Sequence, residues 1–544
     1  MKKYVFVVGG VMSSVGKGIV TSSVALILKN KGFKVTAVKA DPYINVDAGT
    51  MNPIEHGEVF VTEDADETDQ DIGNYERFLD QNITKINYMT TGRVYQTVIS
   101  KERNLEYKGK CVEVVPHIPE EIIRRIEKSS QETKSDITVV EIGGTVGEYQ
   151  NILFLEAARM MKTRHPEDVA FILVSYLPIP SSVGEMKTKP TQYAARTLNS
   201  AGIQADFIVC RSEVEIDKPR REKLATFCMI DSENAISCPD VKNIFEVPLV
   251  FEKQNFGDKV LKQLNLKPKK TNMKKWEGIV AASQKFKKTI NIAVVGKYFG
   301  TGNFTLADSY ISVIESVRIA CFHQGIKAQM DWIDSEMFEK DPKKIELLSK
   351  YQGIIVPGGF GSRGIEGIIS TVRYARENKI PYFGLCYGMQ IATIEFARNV
   401  AKLTNANTEE INPKTPYPVI HIMDEQKDKV KKSEFGGTMR LGGYECKLMR
   451  GTIAYQAYSK DKIVERHRHR YEFNNKYRAQ MEKLGLVISG INEQRNLVEI
   501  IELKDHPFFV GVQFHPEFKT RFIKPHPLFA RFIKEASKIK PILP

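Results

Sequence analysis

Residues 4–20 read YVFVVGGVMSSVGKGIV. Tyr4–Val8 is a continuous run of β-branched and aromatic side chains, which suits a strand buried on both faces. A glycine–serine loop follows, and Ile19–Lys31 then has helical character. Strand, glycine loop and helix form the opening unit of a doubly wound sheet. The alternation recurs along the chain. In the first half, Ile137–Ile142, Val169–Ser175 and Asp206–Cys210 are apolar runs, with Ile152–Met161 as a helix-like spacer. In the second half the runs are Asn291–Val295, Gly353–Val356, Tyr382–Leu385 and Phe508–Phe514. The expected fold class is α/β, with two doubly wound domains and ligand sites at the carboxyl ends of the strands.

The 544 residues exceed what one core can serve and imply about two to four domains. With 42% hydrophobic and 27% charged residues, the composition excludes a disordered chain. No window approaches the run of about eighteen apolar residues that a spanning helix needs, so no membrane partner is expected. Met1-Lys2-Lys3 and the apolar run mimic a signal peptide. Gly9 and Gly10 interrupt that run, however, and no small-residue cleavage site follows. The seven cysteines (Cys111, Cys210, Cys228, Cys238, Cys321, Cys386 and Cys446) are odd in number and contain no CxxC pair. That pattern argues against a disulfide framework or zinc site and favours a reducing, cytoplasmic location.

The net charge of +13 is unevenly spread. Residues 267–288 read KPKKTNMKKWEGIVAASQKFKK, with eight lysines and one glutamate. A solvated basic linker fits this stretch best. A nucleic-acid patch is the sharper alternative, but no interleaved aromatics or reader module accompany the lysines, so no nucleic-acid partner is expected.

The loop GGVMSSVGKG at 9–18 is suited to phosphate. Glycines let the backbone approach phosphate oxygens, the following helix offers N–H groups, and Lys17 adds a point charge. It departs from G-x-x-x-x-G-K-[ST]: Val11 stands at the first glycine and Gly18 replaces the hydroxyl that would hold magnesium. Carboxylates must then serve the metal. Residues 63–71, EDADETDQD, carry six acids in nine positions. Glu141 is a second source, because it ends an apolar strand just before Gly143-Gly144. Magnesium takes one or two carboxylates plus substrate phosphates. Spacing does not choose among the six acids.

In the second half, Gly384-Leu385-Cys386-Tyr387-Gly388 is the cysteine form of a nucleophile elbow. Flanking glycines permit a sharp turn, and the helix N-terminus favours the thiolate. A buried inert cysteine is the ordinary alternative. Ten histidines compete for the role of base. His515 stands out in Gln513-Phe514-His515-Pro516-Glu517, where Glu517 can orient the imidazole. Gly359, in Pro357-Gly358-Gly359-Phe360-Gly361 after a strand, is the natural oxyanion donor, with Tyr387 as the second.

The ordered set GGVxSxxGKG, DPYINVDAGTMNPIEHGEVFV, ETDQDIGNYERF, VVEIGGTVGE, GEMKTKPTQ, GLCYGMQ, HRHRYEFNN and QFHPEF resembles the CTP synthase family, from about Lys2 to the Phe532 region. The resemblance implies an N-terminal P-loop-like amidoligase domain at 1–266, a basic linker at 267–288 and a C-terminal class I glutaminase domain at 289–544. It implies ATP-dependent phosphorylation of UTP at O4 and displacement of the phosphate by ammonia, leaving CTP. The ammonia would come from glutamine and pass inside the protein.

Residue roles follow from the matched motifs. The resemblance puts Ser14, Val15, Gly16, Lys17, Gly18 and Ile19 around ATP phosphates, with Asp71 and Glu141 as ligands of Mg2+ bound with ATP. It puts Ser13, Glu148, Tyr149, Gln150, Lys187, Thr188, Lys189, Pro190, Thr191, Gln192 and Lys223 against UTP or CTP. Lys39, ending strand Val35–Val38, would also face phosphate. For glutamine it implies Gly359, Tyr387, Gly388, Met389, Gln390, Glu410 and Arg470, and it marks Cys386, His515 and Glu517 as the triad. From the residues alone, KTKPTQ reads as a basic loop, and the run Arg466-His467-Arg468-His469-Arg470 as a solvated or phosphate-binding face.

The resemblance further implies CTP as inhibitor, GTP as activator and a homotetramer, with filaments in some members. It departs from the family in one place. Phe299 to Thr305 intervenes between Tyr298 and Leu306-Ala307-Asp308-Ser309-Tyr310, near where GTP acts in the family. Rival readings are a cobyrinate-type amidase and a partitioning-type ATP switch. GEMKTKPTQ and the HPE triad in this order argue against the first, and a cysteine elbow with the HPE triad would be pointless in the second.

Overall fold

The computed structural model describes residues 2–297, 300–301, 304–305, 307–423, 426 and 437–540. Of the departure noted above, Tyr298, Phe299, Gly302, Asn303 and Leu306 lie outside the described residues. The chain divides into two compact units. One is Met1–Ala48 with Asp71–Val280; the other is Gly49–Gln70 with Ala281–Pro544. Among the described residues no helix is long and apolar enough to cross a membrane.

In the first unit, the strands β1 (Lys3–Gly9), β2 (Val35–Asp41), β3 (Tyr88–Thr90), β4 (Ile137–Ile142), β5 (Val169–Tyr176), β6 (Phe207–Ser212) and β7 (Ala235–Pro239) form one sheet. Their order is β3-β2-β4-β1-β5-β6-β7, and every pairing is parallel. β1 is buried along its whole length and β5 nearly so. That burial explains their continuous apolar runs, since helices cover both faces of a parallel sheet. The helices α1 (Lys17–Asn30), α2 (Asp71–Leu79) and α3 (Lys189–Ser200) matter most for the site.

The basic stretch at 267–288 is not solvated throughout. Lys274–Ala282 is a helix whose Trp276 and Val280 are buried. Trp276 Nε1 donates to the Phe245 carbonyl at 2.8 Å, and its ring packs on Phe78. The two apolar residues are four apart, so a single helical face hides both while the lysines stay in water.

In the second unit the strands are β8 (Lys288–Gly296), β9 (Ile326–Asp334), β10 (Gly353–Val356), β11 (Tyr382–Leu385), β12 (Arg440–Leu448), β13 (Lys462–His469), β14 (Leu486–Asn492), β15 (Leu497–Leu503) and β16 (Phe509–Val512). Their order is β9-β8-β10-β11-β16-β15-β14-β12-β13. Pairings from β9 to β16 are parallel, and those from β16 to β13 are antiparallel. The doubly wound half therefore carries an antiparallel wing that the apolar runs did not reveal. Its strands carry charged residues even where they are buried, Arg440, Glu465, Arg466, Glu499 and Glu502 among them, and this dilutes the apolar signal. The helices α4 (Ile311–Gln324) and α5 (Tyr387–Asn399) pack on the parallel half.

Gly49–Gln70 belongs to this second unit although it lies early in the sequence. A short hairpin, Phe60–Val61 with Glu67–Thr68, gives it shape. Phe60 packs on Phe518 with ring centroids 4.9 Å apart. Glu63 accepts from Arg466 Nε at 3.1 Å, and Glu67 from Arg468 Nε at 2.8 Å. The acidic run 63–71 is thus split: Glu63 and Glu67 neutralise arginines of β13, while Asp71 opens α2 in the first unit. The Arg466–Arg470 run is likewise no solvated face. Arg466 and His467 are fully buried, and a buried arginine needs such a carboxylate.

Candidate active site

In the first unit, β1 delivers the loop to the start of α1. Gly16 takes a left-handed φ of 93° and is the residue before the helix. A Cβ on Gly18 would lie 1.9 Å from Asp71 Oδ1. The place where a phosphate loop usually carries a serine or threonine is therefore filled by the Asp71 carboxylate, and only glycine leaves room for it. Lys39 Nζ bonds Asp71 and also Glu141 Oε1, the latter at 2.8 Å. Tyr75 donates its hydroxyl to Glu141 Oε2 at 2.5 Å, and Lys17 Nζ donates to the Gly144 carbonyl at 2.7 Å.

Burial pushes the Glu141 carboxyl up to about 7; Asp71 adds to the rise, and Lys39 and Lys17 oppose it. Burial likewise raises Asp41 to about 6 and lowers Lys17. Two lysines and three carboxylates thus share one buried cluster at the carboxyl ends of β2 and β4. Lys39 stands between the carboxylates. Hard oxygen donors beside a phosphate loop fit a magnesium ion held by Asp71 and Glu141.

The other nucleotide candidates are spread over several elements. α3 packs against it closely enough that a Cβ on Gly10 would lie 2.6 Å from Ala194 Cβ. That contact brings Thr188 to Gln192 beside the loop. Thr191 Oγ1 accepts from Ser175 at 2.8 Å, and Gln192 donates to Thr188 at 3.1 Å. Lys187 pairs with Glu185 at 2.6 Å. Glu148 accepts from the Thr145 amide at 3.0 Å, folding its carboxylate back on the loop after β4. Tyr149 is 93% exposed. Lys223 is exposed on the helix Lys218–Cys228. Asp41 and Tyr75 are cluster members that sequence reasoning missed. Asp41 follows Lys39 by two residues, so its place at the strand end was the available signal.

In the second unit, Cys386 links β11 to α5 with φ 48° and ψ −96°. A residue with a Cβ pays strain in that region, which persists where the surroundings hold it. Both flanking glycines are required. A Cβ on Gly384 would lie 2.7 Å from the Gly388 carbonyl carbon, and one on Gly388 would lie 2.3 Å from the Val356 oxygen. The Cys386 thiol points at the Arg468 carbonyl, 3.8 Å away, and Gln513 Nε2 donates to its sulfur at 3.6 Å.

His515 Nδ1 lies 2.7 Å from Glu517 Oε1, and its ring stacks on Phe518 at 5.0 Å. Its other nitrogen makes no hydrogen bond of ordinary geometry. Burial alone would lower the imidazole pKa, but Glu517 and the nearby Cys386 sulfur overcome it and hold it up to about 10. A thiol, an imidazole and a carboxylate thus stand in series, as nucleophilic acyl transfer requires.

A cavity of about 680 Å³ opens over this thiol. Gly359, Cys386, Gln390, Glu410 and Arg470 line it, together with Phe360, Met439, Arg468, His469, Tyr471 and residues 49–53. Tyr387 and Met389 are buried. Glu410 accepts from the Gly361 amide at 2.8 Å, and burial raises its pKa. Arg470 donates to Gln426 at 2.7 Å and Thr438 at 2.9 Å.

Lys297 is a further member that sequence reasoning missed. It is buried at the end of β8 and donates to the Tyr387 hydroxyl at 2.9 Å and to the Gly361 carbonyl. Burial lowers its pKa to about 8. It ties the Gly358–Gly361 turn to the start of α5. A lysine directly after an apolar strand, as with Lys39, was the signal.

The family model described as CTP synthase N-terminus matches residues 3–266, and that for glutamine amidotransferase class-I matches 305–535. The chain is 50% identical to the CTP synthase of Caldanaerobacter subterraneus subsp. tengcongensis over 99% of both chains. It is 51% identical to that of Carboxydothermus hydrogenoformans and 50% to that of Clostridium acetobutylicum, again over 99% of each. With both family models in order on a parallel-sheet unit bearing a phosphate loop and one bearing a cysteine elbow, the chain belongs to the CTP synthase family.

Proposed function

We propose that this chain aminates UTP to CTP with ATP, drawing ammonia from glutamine at the cysteine site. Cys386, held in its strained turn beside the His515–Glu517 pair, is the observation that carries this reading. In the second unit, the Cys386 sulfur attacks the side-chain amide carbon of glutamine. His515 takes the thiol proton and returns one to the departing ammonia, while Glu517 keeps the imidazole oriented and stabilises its charge. The backbone N–H groups of Gly359 and Tyr387 receive the oxyanion. Glu410 pairs with the substrate α-ammonium group, and Gln390, Arg470, Gly388 and Met389 shape the pocket around the amino-acid end. Water then releases glutamate from the thioester.

In the first unit, residues 13–19 bind phosphates, with Lys17 on the β/γ oxygens. Asp71 and Glu141 would hold Mg2+, which, when bound with ATP, offsets the phosphate charge during transfer. The displacement of Lys39 from between the two carboxylates goes with that binding. Ser13, Glu148 to Gln150, Lys187 to Gln192 and Lys223 grip the pyrimidine nucleotide. Phosphorylation at O4 makes a leaving group of a carbonyl oxygen, and ammonia replaces it. Enclosed transfer keeps the ammonia unprotonated. CTP as inhibitor, GTP as activator, a homotetramer and a cytoplasmic location complete the reading, on family resemblance.

Ultraviolet absorbance tests it directly. UTP with ATP, magnesium and glutamine should give the uracil-to-cytosine change. An active glutaminase with no such change would sink the assignment.

A further inference from the structure

Gln513 is not a member of the triad, yet it is fully buried against the nucleophile. It follows β16 directly, and its amide N–H donates to the Glu499 carbonyl at 2.8 Å, fixing its backbone. One residue earlier, the Val512 carbonyl accepts from the Cys386 amide at 2.7 Å. The two backbones are thus pinned side by side.

The direction of the side-chain amide can be worked out from its neighbours. The Tyr471 carbonyl can only accept, and Gln390 Nε2 donates to it at 2.9 Å. The Gln390 NH2 is therefore the end facing Gln513, and it meets Gln513 Oε1 at 3.4 Å. The Gln513 NH2 is left facing Cys386 Sγ at 3.6 Å. Tyr471 and Gln390 line the substrate cavity, so the chain of donors runs from the cavity wall to the reacting sulfur.

We propose that Gln513 is a positioning residue for the nucleophile: its amide, oriented by Gln390 and the Tyr471 carbonyl, donates to the Cys386 sulfur and stabilises it as a thiolate aimed into the cavity. Its N–H satisfies the anion without competing with His515 for the proton. This rests on the glutaminase reading above.

The test is the pH profile of Cys386 alkylation by iodoacetamide in the full chain, followed by mass spectrometry of the Cys386 peptide. Gln513→Met keeps the volume and removes the donor. It should slow alkylation at pH 7 about tenfold and move the profile up by about one pH unit, the scale of one hydrogen bond to a charged group. Gln513→Glu, which places a carboxylate there, should move it further. Superimposed profiles of wild type and Gln513→Met overturn the proposal. A shift with Glu alone overturns it too, because a carboxylate repels any nearby thiolate.

If Gln513→Met does not fold, Gln390→Met carries the test. With the amide free to turn its carbonyl toward sulfur, the profile should rise by a smaller amount, and an unchanged profile overturns the proposal. Failure of the glutaminase reading itself would look different, because the wild type would then neither hydrolyse glutamine nor alkylate preferentially at Cys386.

Discussion

The phosphate loop and the cysteine elbow use the same junction, a turn between a parallel strand and the helix that follows, for opposite purposes. After β1, the loop runs through Gly9 to Gly18 and offers backbone N–H groups with Lys17 as its own cation, while the carboxylates come from other segments. After β11, the turn is one strained residue, and the chemistry is the side chain of that residue. The surroundings differ accordingly. Around the loop, Lys17, Lys39, Asp41, Asp71 and Glu141 form a buried cluster suited to taking up charged substrates. Around Cys386 stand His515, the Glu517 carboxylate bonded to it and the Gln513 amide, all from one stretch, 513–517. Glycine at such a junction is specified by what must sit beside it: Asp71 beside Gly18, the Val356 carbonyl beside Gly388.

The largest expected effect separates the two regions outright. Cys386→Ala should lower glutamine-driven CTP formation by on the order of 10⁴-fold or more and spare ammonia-driven formation. Loss of both would contradict two separate sites. On the other side of the comparison, Gly18→Ala forces the Asp71 carboxylate away. CTP formation from either nitrogen source should fall about a hundredfold, as for an ångström-scale misplacement, with Cys386 alkylation unchanged. Activity within twofold of wild type would show that the carboxylate is not needed there.

Gly388→Ala sharpens the comparison, because its clash is with a backbone carbonyl that cannot swing aside. The unfolding transition of the second unit should drop by about 1–3 kcal/mol, with glutamine use lost and ammonia use kept. An unchanged transition would mean that the elbow is looser than the geometry indicates.

The His515 proton gives a pH test. His515 is held at about 10 in the folded chain against an ordinary 6.5. Its stabilising contribution is complete below pH 6.5 and is lost as pH climbs toward 10. Glu517→Gln removes the charge that most holds this proton. Between about pH 7 and 10, the wild type should therefore lose stability more steeply, by on the order of 1–3 kcal/mol in urea unfolding. Parallel slopes would rule out the ion pair.

The smallest effect belongs to the lysines that neither region uses. Replacing the exposed Lys274, Lys275 and Lys285 by Gln should change CTP formation less than about twofold, as for solvated surface charges. A larger loss would give the basic stretch a function.

The α/β class, the strands that end in glycine turns, and the Cys386 and HPE stretches as candidates were legible in the residues alone. These are local: a strand buried on two faces must be apolar throughout, and a sharp turn must be glycine-rich, whatever lies around it. Only the tertiary structure decided which acids of 63–71 act where. Glu63 and Glu67 find Arg466 and Arg468 some 400 positions away, whereas Asp71 fills the space beside Gly18. It also decided that Lys297 ties the Gly361 turn to Tyr387, that Gln513 borders the thiol, that residues 49–53 wall its cavity, and that half of the second sheet is antiparallel. Charged side chains read alike in a sequence whether they face water or a partner, because the partner that makes burial affordable is chosen by the fold and not by the neighbours along the chain.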